Sequence, residues 1–240
     1  MNRHGSTNFD DRRHGVKPSL IILHYTGMKS AKAALERLCD PESKVSAHYV
    51  VEENGKLHAL VDEDKRAWHA GTSYWDEIVD VNSHSIGIEI VNPGHEFGYK
   101  EFPDKQIDAV IELCLGLIQK YKIKSCNVLG HSDIAPRRKE DPGELFPWER
   151  LAEEFVGLWA FSREMDFNAA KELLNDKKVF HDHLKAYGYD PRAPFEEVLK
   201  AYHRHFYPEK FKEDEDPLKT DLLSAARLEA LIRLKKTVKT

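Results

Sequence analysis

The sequence has little of what marks a disulfide scaffold, a membrane-spanning chain or a nucleic-acid binder. Three of its 240 residues are cysteine, and the spacing of Cys39, Cys114 and Cys126 contains no CxxC pair, so neither a disulfide framework nor a four-cysteine zinc site is predicted. No apolar run approaches the roughly 18 residues needed to cross a bilayer. The 36 basic and 41 acidic side chains give a net charge of −5, which argues against general nucleic-acid binding.

The start of the chain also lacks a targeting signal. The segment MNRHGSTNFDDRRHG is polar throughout and has no apolar stretch of the kind that directs secretion. We therefore expect a cytoplasmic protein, with the periplasm or cell envelope as the alternative if a leader has been removed. Since 41% of the residues are hydrophobic, a chain of this length can bury a core without disulfide bonds.

The hydrophobic pattern predicts an α/β fold with a mixed central sheet flanked by helices. Short continuous apolar runs, typical of strands buried on both faces, occupy residues 19–26, 85–91 and 127–131. Residues 46–61 predict a β-hairpin, because two apolar segments flank Asn54-Gly55, a pair that suits a tight turn. Helical spacing of apolar residues alternates with these runs, as in layered α/β folds. The predicted helices of this part cover residues 31–39, 103–121 and Pro147 to about Trp159.

The composition changes near residues 160–168, and no strand pattern follows. Three later segments have helical spacing, over residues 177–187, 194–206 and 219–235. We therefore predict a first domain over residues 1–162 and a small all-α three-helix domain over residues 163–240.

Four polar residues stand out against the apolar pattern. His24 and His131 each end an apolar run, Glu89 lies inside a third, and Asp141 precedes Pro142-Gly143. Taken singly, each has an ordinary structural interpretation as a rim histidine, a solvent-facing carboxylate or a turn residue. Taken together, two histidines and one carboxylate at strand ends would bind zinc and leave one position open, as in catalytic sites. The residues alone leave both interpretations open.

Several ordered segments resemble a known family of enzymes. They are IILHYTG, SAHYVVEENGKLHALVDEDKRAWHAGTS, NSHSIGIEIVNPG and GHSDIAPRRKEDPGELFPW, within residues 15–160. These segments resemble the zinc-dependent N-acetylmuramoyl-L-alanine amidases of the amidase-2 family, in the branch that contains AmpD and AmiD. The later helical region resembles the peptidoglycan-binding type of three-helix domain that AmiD-like members carry.

The resemblance implies one zinc ion per chain, held by His24, His131 and Asp141. It also implies that Glu89 is catalytic and that Lys139 supports a developing oxyanion, roles that suit general acid–base and electrostatic catalysis. The third ligand is aspartate, as in the AmpD branch, where phage lysozyme-like relatives often have cysteine. Four further residues match stretches that line the substrate groove of the family and are implied to contact sugar or peptide: His48, Trp68, His69 and Asn82.

The implied reaction is hydrolysis of the amide between the lactyl group of N-acetylmuramic or 1,6-anhydro-N-acetylmuramic acid and L-alanine of the stem peptide, in peptidoglycan turnover or recycling. The implied partners are peptidoglycan fragments or the sacculus, and we expect a monomer. A non-catalytic peptidoglycan recognition module is the alternative, and the complete ligand set with Glu89 favours the enzyme. A third hypothesis is an unrelated zinc peptidase, and the absence of an HExxH motif argues against its best-known kind.

Overall fold

A six-stranded mixed sheet forms the centre of the computed structural model, which describes residues 2–239. Its strands are β1 (Asn2–Arg3), β3 (Leu20–Tyr25), β4 (Tyr49–Val51), β5 (Leu57–Ala59), β7 (Ser85–Ile90) and β8 (Val128–Gly130). They lie in the order β1-β5-β4-β7-β3-β8. A separate antiparallel pair joins β2 (Phe9–Asp11) to β6 (Lys65–Ala67). The predicted mixed sheet is confirmed.

The two central strands of the sheet, β3 and β7, are parallel and buried. Leu20, Ile21, Ile22 and Leu23 are inaccessible to solvent. A parallel strand covered on both faces reads as a continuous apolar run, which is why the sequence identifies it. The predicted hairpin is also present, with β4 antiparallel to β5 and Gly55 at a φ of 84° in its turn.

Six helices accompany the strands in the first two thirds of the described chain. They are α1 (Ala31–Cys39), α2 (Val81–His84), α3 (Gly94–Phe97), α4 (Asp104–Tyr121), α5 (His131–Ile134) and α6 (Trp148–Glu153). The predictions of α1 and α4 are confirmed. The helix predicted to reach Trp159 stops at Glu153, because Phe155 adopts a φ of 62° and the amide of Val156 bonds back to the carbonyl of Leu151.

The described part of the C-terminal region contains four α-helices rather than the three predicted, with a short 3-10 helix at Pro208–Phe211. The four α-helices are α7 (Glu164–Asn175), α8 (Lys177–Tyr187), α9 (Phe195–Phe206) and α10 (Leu222–Lys239). The unpredicted helix, α7, buries only a narrow face that includes Ala170 and Leu173, so its apolar pattern is weak. Arg233 of α10 bonds the Asp166 carboxylate near the start of α7, with Nη2 2.7 Å from Oδ2.

The apolar core continues from the sheet into the C-terminal helices. Trp75 is fully buried, and its ring meets those of Tyr187 and Tyr189 edge-on at centroid distances of 5.7 and 5.2 Å. Residues on both sides of position 162 therefore bury surface against each other. None of the helices described between residues 2 and 239 is long and apolar enough to cross a membrane.

Candidate metal centre and active site

Three potential metal ligands converge at one edge of the sheet. His24 lies near the end of β3, His131 begins α5 directly after β8, and Asp141 follows in the next loop. Because β3 and β8 are parallel neighbours, their carboxyl ends meet at the same edge. The three side chains are buried, and their ligand atoms form a nearly equilateral triangle. The Nδ1 atoms of the two histidines are 2.9 Å apart, and each is 3.0 Å from Oδ2 of Asp141.

The charge state of this triangle suits a divalent cation. Burial, together with the neighbouring His131, lowers the pKa of His24 to about 4, so its ring is neutral at pH 7. Burial alone would raise the pKa of Asp141, but the two histidines outweigh it and hold that pKa well below the ordinary range. The triangle therefore offers two imidazole nitrogens and the oxygen of an ionised carboxylate. Zinc prefers such nitrogen and oxygen ligands, with three from the protein in catalytic sites.

The hydrogen-bond partner of His131 also fits a metal ligand. Its Nε2 lies 3.2 Å from the carbonyl oxygen of Ala70, which can only accept a hydrogen bond. Arg138 donates to the same oxygen, so the carbonyl serves as acceptor for both side chains. Because Nε2 is the donor in this contact, Nδ1 is the nitrogen directed at His24 and Asp141. The residues present therefore fit a zinc ion.

Glu89 borders the same cleft as the three ligands. It is the register partner of His24 on the neighbouring strand β7, and its Oε2 is buried with no hydrogen-bond partner among the described residues. Burial raises the pKa of Glu89 well above its usual value, the nearby Asp141 carboxylate adds to the rise, and Lys139 opposes it. A carboxyl group that readily holds a proton is suited to general acid–base chemistry.

The rim of the cleft combines a cation with apolar and aromatic surface. Lys139 is exposed and lines the opening of the cleft, and Trp68 and His69 form part of the wall. Arg37 and Met28 also line it, although nothing in the sequence pattern distinguishes them from other residues outside the core. A partly apolar cleft that ends at convergent polar groups has the character of a ligand site.

Comparison with known proteins identifies the family. A family model described as N-acetylmuramoyl-L-alanine amidase matches residues 14–144, which include every ligand and cleft residue named above. The chain belongs to the N-acetylmuramoyl-L-alanine amidase family. It is 36% identical over 230 residues to AmiD of Escherichia coli, a match that spans 88% of this chain and 82% of AmiD. The predicted amidase-2 resemblance is confirmed.

Solved structures of related amidases share the whole fold. AmpDH3 of Pseudomonas aeruginosa superposes with a TM-score of 0.81 at 30% identity, covering 93% of this chain and 94% of AmpDH3. AmiD of E. coli, solved in complex with the substrate anhydro-N-acetylmuramic acid-L-Ala-D-gamma-Glu-L-Lys, superposes with a TM-score of 0.78 at 33% identity, covering 95% and 93%. The likeness extends over the C-terminal helices as well as the sheet, and this amidase is an enzyme of the AmpD and AmiD type.

Two of the four residues expected in the substrate groove lie beneath the cleft of the amidase. His48 is fully buried, and its Nδ1 accepts a hydrogen bond from the amide of Gly87 at 3.0 Å. Asn82 is 7% exposed, and its Oδ1 accepts from the amides of His69 and Ala70. Neither residue lines the cleft, whereas Trp68 and His69 do. The positions of His48 and Asn82 indicate support of the site rather than contact with substrate.

The C-terminal helices bond to the segment that carries His131. The fully buried Asp133 accepts through Oδ2 from the amide of Gly130 at 2.8 Å and from Nδ1 of His205 at 2.7 Å. Its Oδ1 accepts from the hydroxyl of Tyr189 at 2.8 Å. The sequence pattern does not predict these contacts of Asp133, because the partner residues are far apart in the chain and no motif joins them.

Proposed function

We propose that this amidase uses a zinc ion, held by His24, His131 and Asp141, to hydrolyse the amide between the lactyl group of a muramic acid and L-alanine. The observation that carries the proposal is the buried triangle of three ligand atoms separated by 2.9–3.0 Å. A zinc ion there supplies the Lewis acidity that polarises the carbonyl and activates a water molecule near neutral pH.

Glu89 is proposed as the group that moves the proton. Its Oε2 is buried and carries no competing hydrogen bond, so it is available to take the proton of the attacking water. The raised pKa of the carboxyl favours retention of that proton until the leaving amine accepts it.

Lys139 is proposed to stabilise the negative charge that develops on the carbonyl oxygen. It lines the cleft beside the ligand Asp141, and its ammonium group is a flexible point charge. Because the side chain is exposed, substrate binding has to exclude water around it before the charge has its full effect.

The substrate class follows from the relatives and the cleft. The related AmiD structure contains a substrate with anhydro-N-acetylmuramic acid joined to a short peptide. In this chain Trp68 offers an aromatic face to sugar or peptide, and the exposed Arg37 offers a cation to a stem-peptide carboxylate. We therefore propose peptidoglycan fragments as substrates.

The non-catalytic recognition module is the weaker hypothesis. A module that only binds muropeptide needs the cleft but has no use for three convergent ligand atoms or for a buried carboxyl oxygen without a hydrogen-bond partner. This chain has both features. They favour the enzyme.

The decisive experiment uses the purified full chain. Zinc content is measured by elemental analysis, and cleavage of a soluble anhydro-muropeptide is followed by mass spectrometry, with and without a chelator. We expect one zinc per chain, release of the free peptide, and loss of activity on chelation that zinc restores. Binding of muropeptide without cleavage by the zinc-loaded protein would replace the proposal with the recognition module.

A further inference from the structure

We propose that the ring of His69 and the carbonyl of Ala70 are positioning groups, which determine the nitrogen that carries the proton in the two histidine ligands, His24 and His131. Asn82 holds both groups in place by hydrogen bonds to the backbone. The inference rests on the proposed zinc site and assigns its supporting residues. His69 and Asn82 were expected to contact substrate, and the hydrogen bonds of the structure give them a different role.

The first branch is a hydrogen-bond chain with only one consistent direction. The hydroxyl of Ser85 donates to the carbonyl of Val81 at 2.7 Å, which uses its single proton. Ser85 must then accept from Nε2–H of His69, whose ring nitrogen is 3.0 Å from Oγ. Nδ1 of a neutral His69 therefore carries a lone pair, and it accepts from Nε2–H of His24 at 3.0 Å. The lone pair of His24 Nδ1 is left for the metal.

The second branch reaches the other histidine ligand. The carbonyl of Ala70, the next residue along the chain, accepts from Nε2–H of His131 at 3.2 Å. The two chains of hydrogen bonds thus start from adjacent residues, His69 and Ala70. Each leaves the Nδ1 lone pair of a histidine ligand directed at the proposed metal position. Ligating histidines generally depend on such partners for ring orientation and for the choice of the ligating nitrogen.

Asn82 holds the two positions in place. Its Oδ1 accepts from the amides of His69 and Ala70, at 3.1 and 2.8 Å. Asn82 is itself part of α2, and its side chain is buried against this turn. One amide oxygen therefore fixes the backbone from which both orienting groups extend.

Gly87 gives the ring of His69 its space. A Cβ atom at position 87 would overlap the His69 ring, although Gly87 lies in β7 with an ordinary strand conformation. The close approach of the His69 ring explains why a glycine occupies the middle of this buried strand. His69 is 8% exposed, and both its ring nitrogens already have partners, so it has no free polar atom for substrate.

The first test compares two variants of His69 by zinc affinity, measured by competition with a chromophoric chelator. His69→Leu removes the acceptor for His24, and we expect zinc to bind about 10- to 100-fold more weakly. His69→Gln can accept through Oε1 and donate through Nε2, so we expect it to recover most of the loss. His58→Leu is the matched control, because His58 is a buried histidine of the same sheet that lies away from the site. It should leave zinc affinity unchanged.

The second test uses ¹⁵N NMR of the histidine rings in the metal-free full chain to determine which ring nitrogen carries the proton. We expect His69 to carry its proton on Nε2, a result that does not depend on zinc binding or on correct folding of any variant. A proton on Nδ1 of His69 would overturn the proposal. Unchanged zinc affinity in folded His69→Leu would also overturn it, whereas failure of the wild-type chain to bind zinc would instead overturn the proposed function.

Discussion

Glu89 and His24 are direct register partners across the parallel strands β7 and β3. Register partners of neighbouring strands project to the same face of a sheet, so a proposed ligand and a proposed proton carrier reach the same cleft. A slip of one residue between these strands would turn either side chain to the opposite face. The buried apolar neighbours on both strands fix the register, and the packing of the core therefore determines the geometry of the site.

The first prediction concerns metal content. We expect His131→Ala to lose nearly all bound zinc, because it removes one of three protein ligands and leaves Asp141 with one histidine. The measurement is elemental analysis of the purified variant after dialysis against zinc-free buffer. Retention of one zinc per chain would show that His131 is not a ligand. His58→Ala serves as the control for loss of a buried histidine in the same sheet.

The second prediction separates chemistry from metal binding. Glu89→Gln has nearly the same shape but cannot take up a proton, so we expect zinc content to stay at the wild-type level. Turnover should fall by about 10²- to 10⁴-fold, the usual range of a general acid–base contribution. Cleavage of a soluble muropeptide is followed by mass spectrometry, with Glu36→Gln on the exposed face of α1 as control. Wild-type turnover in Glu89→Gln would remove this residue from the mechanism.

The third prediction tests the wall of the cleft. Trp68→Ala removes an aromatic surface that lines the opening, and we expect KM for a soluble muropeptide to rise while kcat and zinc content change little. Trp68→Phe keeps an aromatic face and should recover much of the affinity. An equal fall in kcat in both variants would place Trp68 in the chemical step instead.

The sequence predicts the elements of this site better than it predicts their support. Strands buried on both faces leave continuous apolar runs, so His24 and His131 can be recognised at the ends of two such runs. The orienting group of His131 is the main-chain carbonyl of Ala70, and a carbonyl has no side-chain signature. The segment 62–84 has no regular hydrophobic period, and for this reason β6 and the turn around Ala70 could not be predicted.

The link between the two halves of the chain is equally hard to predict. Helical periodicity identifies α8 and α9, but it does not say which polar residue of a helix will face another element. His205 and Tyr189 meet Asp133 only because the helices pack against the sheet region, across more than fifty positions of sequence. Such contacts depend on tertiary packing, and single-sequence periodicity contains no information about them.

The fourth prediction concerns pH and the buried His203. Burial lowers the pKa of His203 to about 4, and its neutral ring lies between the carbonyl of Pro217 and the hydroxyl of Ser224. The unfolded chain takes up this proton near pH 6.5, so the contribution of His203 is complete above that pH and is lost as pH falls towards 4. The expected size is about 3 kcal/mol in the free energy of unfolding.

Urea unfolding of the metal-free protein at several pH values checks this contribution. His203→Gln can keep both hydrogen bonds but does not titrate, so its free energy of unfolding should depend less on pH between 6.5 and 4 than that of the wild type. Parallel curves for the two proteins would show that His203 does not titrate differently in the folded and unfolded states.

The last prediction concerns the division of the chain at residues 162 and 163. The sequence pattern predicts two domains, and all the proposed site residues lie in the first. The packing, however, buries Trp75 of the first part against Tyr187 and Tyr189 of the second, and Asp133 depends on Tyr189 and His205 for two of its hydrogen bonds. Removal of the helices would expose this apolar surface and leave a buried carboxylate short of donors, which is strongly destabilising.

We therefore expect a chain that ends after Phe161 to be insoluble or unfolded, as judged by circular dichroism and thermal unfolding. Tyr189→Phe is a less disruptive variant that tests the same contact. It removes the hydroxyl that donates a hydrogen bond to Asp133, while the aromatic ring still packs against Trp75. It should lower the free energy of unfolding by about 1.5–3 kcal/mol, the range for a hydrogen bond to a charged group, and retain zinc.

A soluble truncated chain with wild-type activity on both soluble muropeptides and sacculi would show instead that the catalytic part is independent of the helices. Selective loss on sacculi by a folded truncated chain would assign the helices to polymer binding.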